Sequence, residues 1–573
     1  MLARFANSKK RPPCTETVGM RLTHVDQARM TARYAFEARP EFANPTGAIQ
    51  GGFLAAMLDE AMQRHASRPA FRCAGQTLSY ADVDRLSRDF AAYLQGKLGV
   101  KKGDRIAVMT PNLLAFPIAF LGIIRAGAAQ VNVNPLYTPR ELEHQLNDAG
   151  VETIVVFSGV SGTVAEVKAK TKLKTVITNG VGDGSGKVLP SPPVDARLEG
   201  AVSLANALAE GAKLPFTPVT LSGDDLLFLQ YTGGTTGLSK GAALSHRNLV
   251  ANVQQYKAFM PPELLEPGQT IVTAIPLYHI FALMVNFITF FSLGADNWLV
   301  PNPRDFDAFI DTMKAAKPNV FMGVNTLYAG LVAHPRSQEV DWSQLRLAGG
   351  GGAAVIRAVS DKWKLMTGRI IHEGYGLSET SPVLSFNPLW MSEFTATTGL
   401  PMPSTDILLI DDDGKAVALG ESGEIVAKGP QVMKGYWNQP EANAAAFTPD
   451  GYFKTGDVGV FDAKGFLKIV DRKKDMIIVS GFNVYPNEIE DVATGCPGVA
   501  ECACIGVPDN KTGEAVKLFV VKAPGASLTA DEVIAHCRKE MTAYKVPKTV
   551  VFLDALPKST VGKILRRELR SSH

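Results

Sequence analysis

Cysteine is scarce in this sequence, with six cysteines among 573 residues. Small secreted domains need many disulfides, so this count excludes a disulfide scaffold and predicts a reducing, cytoplasmic compartment. Only Cys502 and Cys504 stand close together. A CxC pair without a second pair of ligands or a nearby histidine does not make a zinc site. We therefore interpret these cysteines as buried strand residues.

The sequence also lacks a charge excess, a secretory signal and a long apolar run. Its 59 Lys and Arg against 56 Asp and Glu give a net charge of +3, without the basic stripe that nucleic-acid binding needs. No apolar segment follows the basic residues near the first residue. The longest apolar run, residues 280–295, contains Asn286 and is shorter than the roughly 20 residues that span a bilayer. We interpret this run as protein core or as a lipid-lined wall.

Internal repeats and coiled-coil heptads are absent as well, which excludes solenoid and filament folds. The chain is far longer than one core of about 100–200 residues, so several lobes are expected. From about Leu78 strands alternate with helices, which predicts parallel sheet built from crossover units and an α/β fold class. The first predicted elements are helices over 80–98 and 116–126 and strands over 105–109, 130–133, 153–157 and 175–178.

Two later segments mark changes of organisation. Residues 179–194 are rich in glycine and proline, which predicts a surface loop between two subdomains. After Asp471 basic residues cluster, and short strands over 500–505 and 517–521 with a helix over 530–540 follow. This pattern predicts a small α+β lid.

A run of glycines and threonines follows a predicted strand over 226–231 and reads LQYTGGTTGLSKGAALS. Glycines let backbone N–H groups surround phosphate oxygens, while threonine hydroxyls and a lysine add donors and positive charge. The residues concerned are Thr232, Gly233, Gly234, Thr235, Thr236, Gly237 and Lys240. Because Lys240 is preceded by Ser239 and followed by Gly241, the run is not a Walker motif. We predict a phosphate loop outside the usual kinase and GTPase machinery.

A second motif, HEGYGLSETSP, begins at His372. Tyr375 offers a flat face for a base, and the carboxylates of Glu373 and Glu379 could hold a magnesium ion on phosphates. Either motif alone could be an ordinary loop. Their presence in one chain favours a nucleotide site.

Three further motifs carry polar groups toward the C-terminus. In GYFKTGD, Asp457 can accept hydrogen bonds from two ribose hydroxyls. Arg472, in IVDRKKDMIIVSGFNVYPNEIE, can reach the same sugar from across a domain boundary. The last motif, PKSTVGKILR, places Lys563 in a glycine-containing turn from which it could swing to an anionic intermediate.

Taken in order, these motifs closely resemble the adenylate-forming superfamily of acyl-CoA synthetases, luciferases and peptide-synthetase adenylation domains. The match covers about residues 64–570, and the run beginning DRKKDMIIVSG is most similar to bacterial long-chain fatty-acid–CoA ligases. The resemblance implies a large N-terminal domain, residues 64–471, with stacked sheets flanked by helices and a distorted β-barrel. It also implies a mobile α+β lid, residues 472–573, hinged at Lys474, with the active site between the two domains.

The resemblance implies two half-reactions in one cleft. A fatty carboxylate attacks the α-phosphate of ATP, giving acyl-AMP and pyrophosphate, and after the lid rotates the thiol of CoA displaces AMP. The implied partners are a fatty acid, ATP with Mg²⁺, and CoA. The phosphate loop and Lys240 would hold the β- and γ-phosphates. Glu379 would bind magnesium and Thr380 would contact the α-phosphate. Tyr375 would stack on adenine, and its neighbours Glu373, Gly374 and Gly376 would belong to the same nucleotide site. Asp457 and Arg472 would bind the ribose, Lys563 would stabilise charge, and Gly481 would contact the pantetheine.

Two further positions match the family. His279 stands where the family has an aromatic residue or histidine near the carboxylate, and a core histidine is the alternative. Gly350 and Gly351 resemble the loop beside adenine and the acyl chain. The apolar segments 280–293 and 321–327 flank these motifs and are candidates for an acyl tunnel, which favours long chains at roughly 0.8 kcal/mol per buried methylene.

Residues 1–63 form a lead-in segment unlike the usual beginning of a ligase. The stretch FANPTGAIQGGFLAAMLDEAM resembles the active-site segment of hot-dog-fold acyl-CoA thioesterases. Asn44, Gly51 and Gly52 fit that pattern, whereas Gln50 stands where that family often has histidine. A complete hot-dog domain is longer than this segment, so a helical lead-in is the main interpretation and a dimer-assembled hydrolase the alternative.

Three rivals to CoA ligation stay open at this point: a fatty acyl-AMP ligase that serves a carrier protein, an acyl-CoA hydrolase and a silent acyl-binding protein. The absence of an extra segment between Phe321 and Asp457 favours CoA over a carrier protein as the acceptor. Retention of Lys563 and Glu379 argues against a silent binder. The insoluble fatty-acid substrate suggests peripheral contact with the inner face of the membrane, and a homodimer is a further expectation.

Overall fold

The computed structural model describes residues 20–26, 31–36, 53–232, 239–480, 482–559 and 562–572. Three sets of predictions therefore fall outside the described residues. They concern the loop residues Gly233, Gly234, Thr235, Thr236 and Gly237, the pantetheine residue Gly481, and the thioesterase-like residues Asn44, Gln50, Gly51 and Gly52.

Strands and helices alternate over most of the chain. The strands are β1 (Met20–Asp26), β2 (Thr31–Phe36), β3 (Pro69–Cys73), β4 (Gln76–Ser79), β5 (Arg105–Met109), β6 (Ala129–Asn132), β7 (Thr153–Phe157), β8 (Thr175–Asn179), β9 (Val202–Ser203), β10 (Leu226–Thr232), β11 (Lys240–Ser245), β12 (Thr270–Thr273), β13 (Asp296–Leu299), β14 (Val320–Gly323), β15 (Leu347–Gly350), β16 (Ile371–Gly376), β17 (Val383–Phe386), β18 (Leu400–Pro401), β19 (Asp406–Ile410), β20 (Ser422–Lys428), β21 (Phe453–Phe461), β22 (Leu467–Arg472), β23 (Ile477–Val479), β24 (Phe482–Val484), β25 (Val499–Asp509), β26 (Gly513–Lys522) and β27 (Thr549–Phe552). The α-helices are α1 (Phe53–Arg64), α2 (Tyr80–Gly96), α3 (Ala115–Arg125), α4 (Pro139–Ala149), α5 (Ser161–Val167), α6 (Leu204–Gly211), α7 (His246–Phe259), α8 (Pro262–Leu265), α9 (Phe306–Ala316), α10 (Asn325–Ala333), α11 (Arg357–Thr367), α12 (Pro440–Ala446), α13 (Pro486–Thr494), α14 (Ala530–Glu540) and α15 (Arg566–Ser572).

Two large sheets form the body of the protein. One has seven strands in the order β11-β10-β6-β5-β7-β8-β9, parallel except at the edge pair β10–β11. The other has nine, in the order β18-β17-β16-β15-β14-β12-β13-β3-β4, with parallel pairing from β16 to β3. Almost every residue of β5 and β7 is buried, as expected for parallel strands covered by helices on both faces. The predicted α/β class and the predicted strands over 105–109 and 153–157 are confirmed.

Helices pack between the two sheets and carry the main core. Every residue of α3 is buried, and a helix that is apolar on all sides must lie inside the protein. The apolar run predicted as core forms a π-helix, Ala282–Thr289, whose residues are also all buried. Its one amide is accommodated because Asn286 Nδ2 donates to Thr273 Oγ1 at 3.2 Å. No helix in the described part of the chain is both long and apolar enough to cross a membrane.

Two smaller sheets complete the fold. Strands β19 to β22 form an antiparallel sheet of four strands, and β23 to β27 with α13, α14 and α15 form the C-terminal α+β unit. The predicted distorted β-barrel is not formed by this sheet. Its first and last strands, β19 and β22, are not paired, so the sheet stays open. Lys474 lies in the turn between β22 and β23.

Helix α1 belongs to the core of the large domain. Leu54, Leu58 and Met62 are buried against α2 and α7. The guanidinium of Arg125 on α3 lies 2.6 Å from the Asp59 carboxylate of α1. Residues 53–63, which the sequence places in a separate lead-in, therefore pack with the body of the protein.

We expect Arg125→Met to lower the free energy of unfolding of the large domain by about 3 kcal/mol. The Arg125 side chain is 7% exposed and donates to the Asp84 carbonyl oxygen at 2.6 Å and to Ser87 Oγ at 2.7 Å, besides its pair with Asp59. Its loss removes the ion-pair partner of the Asp59 carboxylate and leaves the Asp84 carbonyl oxygen and Ser87 Oγ without these bonds. Urea unfolding followed by intrinsic tryptophan fluorescence measures the change.

The matched control for this variant is Arg88→Met. Arg88 pairs with the same Asp84 at 2.8 Å, but its side chain is 53% exposed. An exposed pair contributes about 0.5 kcal/mol, so the control should unfold close to the unaltered protein. Equal losses in the two variants would contradict the assignment of Arg125 as the buried link between helices.

Candidate active site

The two ends of the phosphate loop lie on paired strands. Thr232 ends β10 and Lys240 begins β11, and the two residues are direct partners in the antiparallel register. Helix α4 contacts the strand ends through two side-chain bonds, from the Tyr231 hydroxyl to the Asp148 carboxylate and between His144 Nε2 and the Ser239 carbonyl oxygen at 2.9 Å. The loop is therefore anchored at both ends on rigid elements.

Glu379 lies within reach of this hairpin. It is buried in a short 3-10 helix, Ser378–Thr380, and its Oε1 accepts the Tyr436 hydroxyl at 2.8 Å. The Lys240 ammonium lies 5.4 Å from the centre of the Tyr436 ring, a cation–π distance. Burial raises the pKa of the Glu379 carboxyl. Tyr436 was missed by the sequence reasoning, although the run MKGYW, with two adjacent aromatic residues, offered a signal.

Thr380 is fully buried, and backbone groups of its own turn engage its hydroxyl. Thr380 Oγ1 accepts the Leu377 N–H at 2.9 Å and lies 3.1 Å from the Leu377 carbonyl oxygen. The carbonyl oxygen of Pro382 also lies within hydrogen-bond distance. This side chain shapes the turn that presents Glu379, and its contact with an α-phosphate stays a prediction.

Tyr375, Asp457 and Arg472 form one connected group. The Tyr375 hydroxyl donates to Asp457 Oδ2 at 2.7 Å, and Arg472 Nε lies 3.2 Å from Asp457 Oδ1. Asp457 on β21 and Arg472 on β22 are direct partners in the antiparallel register. Arg472 therefore reaches Asp457 from the neighbouring strand of the same sheet and not from across a domain boundary.

The glycines of the second motif permit close backbone approach. A side chain at Gly376 would meet the Pro382 carbonyl oxygen at 1.8 Å, so only glycine fits there. Gly351 faces the Phe281 ring, which a methyl group would approach at 3.4 Å, and the Gly374 carbonyl oxygen at 3.3 Å. Gly350 ends β15 in register with Glu373. The glycine loop predicted beside adenine thus adjoins the Tyr375 motif.

Glu373 and Glu379 belong to the same motif but have different surroundings. Glu373 is 5% exposed, and its Oε1 accepts the Val355 N–H at 2.9 Å. Burial raises the pKa of Glu373 to about 8. Burial raises the pKa of Glu379 as well, so the choice between the two predicted magnesium carboxylates depends on position. Glu379 contacts Tyr436, which lies beside Lys240 of the phosphate loop, and Glu373 does not.

His279 and Lys563 are linked by charge. Burial, and then the charge of Lys563, lower the pKa of His279 to about 4. The Phe281 N–H donates to His279 Nδ1 at 3.2 Å, which leaves the ring proton of neutral His279 on Nε2. Burial lowers the pKa of Lys563 to about 8, with Arg472 acting in the same direction and Asp457 opposing it.

The C-terminal unit contacts the large domain near Lys563. Gly562, beside Lys563, lies against Thr326 of α10, and a side chain at this glycine would meet Thr326 Oγ1 at 2.3 Å. Burial lowers the pKa of Lys474, in the connecting turn. Lys563 of the C-terminal unit thus lies within electrostatic range of Asp457, Arg472 and His279.

Comparison with known families matches two segments of the chain. Residues 58–437 match the family described as "AMP-binding enzyme", and residues 488–563 match "AMP-binding enzyme C-terminal domain". The chain belongs to the AMP-binding enzyme family. The first match alone covers more than half of the chain, and both matches contain residues of the cleft.

The similarity of this AMP-binding enzyme to its relatives extends over nearly its whole length. A "Long-chain-fatty-acid--CoA ligase" of Salmonella typhimurium is 49% identical over 529 residues, covering 90% of this chain and 94% of that protein. A protein of the same name from Escherichia coli O6:H1 is 48% identical over 526 residues, covering 90% and 93%. The structure of ATP-bound MatB from Rhodopseudomonas palustris is similar with a TM-score of 0.80 and 32% identity, over 90% of this chain and 98% of that one.

We expect Tyr375→Phe to weaken AMP binding about 10-fold, because a hydrogen bond to a buried charged group contributes roughly 1.5 kcal/mol. The hydroxyl holds Asp457, which the sequence predicts to bind ribose. Isothermal titration with AMP measures the affinity. Tyr436→Phe is the matched control, since it removes a hydroxyl from Glu379 and should change AMP affinity less than about twofold. Equal weakening in both variants would contradict this division.

Proposed function

We propose that this AMP-binding enzyme is a long-chain fatty-acid–CoA ligase. It activates a fatty acid with ATP to acyl-AMP and pyrophosphate, then transfers the acyl group to CoA and releases AMP. The observation that carries the proposal is the buried group of Tyr375, Asp457 and Arg472, whose charges act on Lys563 of the C-terminal unit. The names of the relatives from Salmonella typhimurium and Escherichia coli support the substrate class.

In the proposed complex the nucleotide extends between the two polar groups of the site. Asp457, fixed by Tyr375 and Arg472, would accept hydrogen bonds from the ribose hydroxyls. Thr232 and Lys240, at the ends of the phosphate loop, would bind the β- and γ-phosphates. Thr380 and the turn around it would lie near the α-phosphate. The sugar and phosphate contacts support ATP as the nucleotide.

Magnesium fits the Glu379 end of the site. Among the described residues no group of three or more His, Cys, Asp or Glu could hold a metal ion on its own. Mg²⁺ commonly binds to one or two carboxylates together with nucleotide phosphates and waters. Glu379, held by Tyr436 at 2.8 Å, would supply that carboxylate. A magnesium ion there would neutralise charge on the phosphates.

Lys563 and His279 would act at the reacting carboxylate. When the fatty carboxylate attacks the α-phosphate, negative charge concentrates at the reacting atoms. A preorganised cation stabilises that charge strongly in a cleft that excludes water. The Lys563 ammonium supplies this cation. Neutral His279 can donate its Nε2 proton to a carboxylate oxygen without adding a second charge. Pyrophosphate leaves with the electron pair of the broken phosphoanhydride bond.

Transfer to CoA would follow rotation of the lid about Lys474. The CoA thiolate attacks the acyl carbonyl, the mixed anhydride breaks and AMP leaves with the electron pair. Gly481, predicted to line the pantetheine path, precedes β24 of the lid. A lysine suits a charge that is needed only while the lid is closed.

The acyl chain would lie beside the buried π-helix that follows His279. The π-helix is apolar apart from Asn286 and Thr289, and Phe281, just before it, faces Gly351. Burial of a saturated chain gains roughly 0.8 kcal/mol per methylene, which favours long substrates in such surroundings. A cytoplasmic location, peripheral membrane contact and a homodimer stay predictions from the sequence.

The first prediction from this function concerns Lys563→Ala. We expect fatty-acid-dependent pyrophosphate release to fall at least 100-fold, in the range measured when one charge-stabilising group is removed. Acyl-CoA formation from supplied acyl-AMP should stay within about threefold, because the lysine acts only in the first step. Equal loss of both activities would contradict the role of Lys563.

The second prediction concerns substrate and acceptor. Pyrophosphate release with fatty acids of graded length should increase toward long chains. Acyl-CoA should accumulate only when CoA is added. Accumulation of acyl-AMP without transfer to CoA would instead support a fatty acyl-AMP ligase, and CoA release from acyl-CoA without ATP would support the hydrolase alternative.

The third prediction concerns pH. Because the pKa of Lys563 is lowered to about 8, kcat/KM for adenylation should decline as pH rises through that value and the ammonium loses its proton. Lys563→Arg keeps its charge to much higher pH, so its declining limb should move above about pH 10 even if the maximal rate is lower. An unchanged limb in Lys563→Arg would show that another group titrates.

A further inference from the structure

A largely covered arginine, with its side chain 15% exposed, fastens the segment that carries Lys563 to the rest of the lid. Arg566 begins α15, and its Nη2 lies 2.8 Å from Glu490 Oε2 and 2.9 Å from Glu490 Oε1. The same nitrogen donates to Asn487 Oδ1 at 2.7 Å. Both partners belong to α13. Arg566 Nε also donates to Glu490 Oε1 at 3.2 Å, and donors on two nitrogens directed at one carboxylate fix the orientation of the guanidinium as well as its distance.

On its other side Arg566 faces the connection between the domains. Its Nη1 lies 3.8 Å from Asp471 Oδ1 and 3.6 Å from Asp475 Oδ2. Asp471 precedes Lys474 in the chain and Asp475 follows it. The Asp471 side chain is 0% exposed and accepts the Asn487 N–H at 2.8 Å. Arg566 thus contacts carboxylates on both sides of the predicted hinge.

These contacts tolerate little change because they are buried. Burial raises the pKa of Asp471 and of Glu490, and the charge of Arg566 opposes that rise in both carboxyls. Removing the cation from a buried ion pair is strongly destabilising, because the remaining charges lose their partner. A residue without the guanidinium would therefore shift the segment or leave it loosely held.

Contacts within the Lys563 segment do not fasten it to β22. The Ser559 N–H donates to the Lys563 carbonyl oxygen at 2.7 Å, and the Lys563 N–H donates to Ser559 Oγ at 3.1 Å, which closes a local turn. Lys558 pairs with Glu501 of β25 at 2.6 Å, a contact inside the lid. The link from this segment to Asp471 runs through Arg566.

We propose that Arg566 is a positioning residue that holds the Lys563 ammonium in the cleft for acyl-AMP formation. It lies three residues after Lys563 in the chain and touches no predicted substrate position. The inference rests on the proposed function and adds to it a residue that acts through another. Arg566 should therefore matter for the half-reaction that uses Lys563 and much less for transfer to CoA.

The experiment compares Arg566→Gln with Arg567→Gln in the full-length protein. Arg567 is the next residue of α15 and is exposed, so its variant has the same net charge without the buried contacts. Two rates are measured for each: fatty-acid-dependent exchange of pyrophosphate into ATP, and acyl-CoA formation from supplied acyl-AMP. We expect Arg566→Gln to lower exchange about 30-fold and transfer less than about threefold, and Arg567→Gln to change both less than about twofold.

A double variant separates positioning from general stability. If Arg566 acts through Lys563, Lys563→Ala combined with Arg566→Gln should exchange pyrophosphate no more slowly than Lys563→Ala alone. Arg566→Lys, which keeps the charge but loses the fork of donors, should lie between Arg566→Gln and the unaltered protein, and it serves as the test variant if Arg566→Gln does not fold.

Two outcomes would overturn this inference. One is an equal loss of exchange and transfer in the Arg566 variants. The other is a double variant whose loss of exchange equals the product of the losses in the two single variants. No exchange in the unaltered protein would instead contradict the proposed function, and the inference with it. Normal exchange in Arg566→Gln would leave the proposed function intact and refute the positioning role alone.

Discussion

The buried carboxylate of Asp457 is the interaction on which the arrangement of the site depends. It is 4% exposed, accepts the Tyr375 hydroxyl at 2.7 Å and pairs with Arg472 at 3.2 Å. A charge buried to this extent persists only when partners compensate its loss of water. The end of β16 and the adjacent strands β21 and β22 must therefore meet at one point. The charge of Asp457 also acts on Lys563 of the lid, so the position of the lid and the local charge balance are linked.

Environment, more than residue type, divides the work among the carboxyls of the cleft. Glu373 and Glu379 belong to one short motif, yet Glu373 contacts a backbone N–H and has a pKa raised to about 8. Glu379 accepts a tyrosine hydroxyl beside Lys240 instead. Burial also raises the pKa of Glu379, so a bound cation and the positive loop would favour its ionised form. The surroundings of Glu373 suit a structural role, whereas those of Glu379 suit phosphate chemistry.

The sequence predicted what short segments determine and failed where distant strands pair. Apolar runs bounded by glycine or proline located β5 and β7, and Tyr375, Asp457 and Lys563 came from linear motifs. The run MKGYW signals an aromatic position at Tyr436, but its pairing with Glu379, 57 positions away, is not encoded by any local pattern. The pairing of Arg472 with Asp457 and the open edge between β19 and β22 depend on strand register, which is also non-local. Resemblance to a family supplied the order of domains but not these contacts.

The charges around Lys563 give a physical reason for the lid to respond to the reaction. Burial and the charges of Arg472, Arg566 and Lys474 lower the pKa of this lysine, while the charge of Asp457 raises it. A closed lid thus places excess positive charge against one carboxylate, and an anionic nucleotide would offset that excess. Acyl-AMP carries far less negative charge than ATP with a free carboxylate. Departure of pyrophosphate would therefore weaken the attraction that holds Lys563 in place, which favours opening of the lid at the moment when CoA must enter.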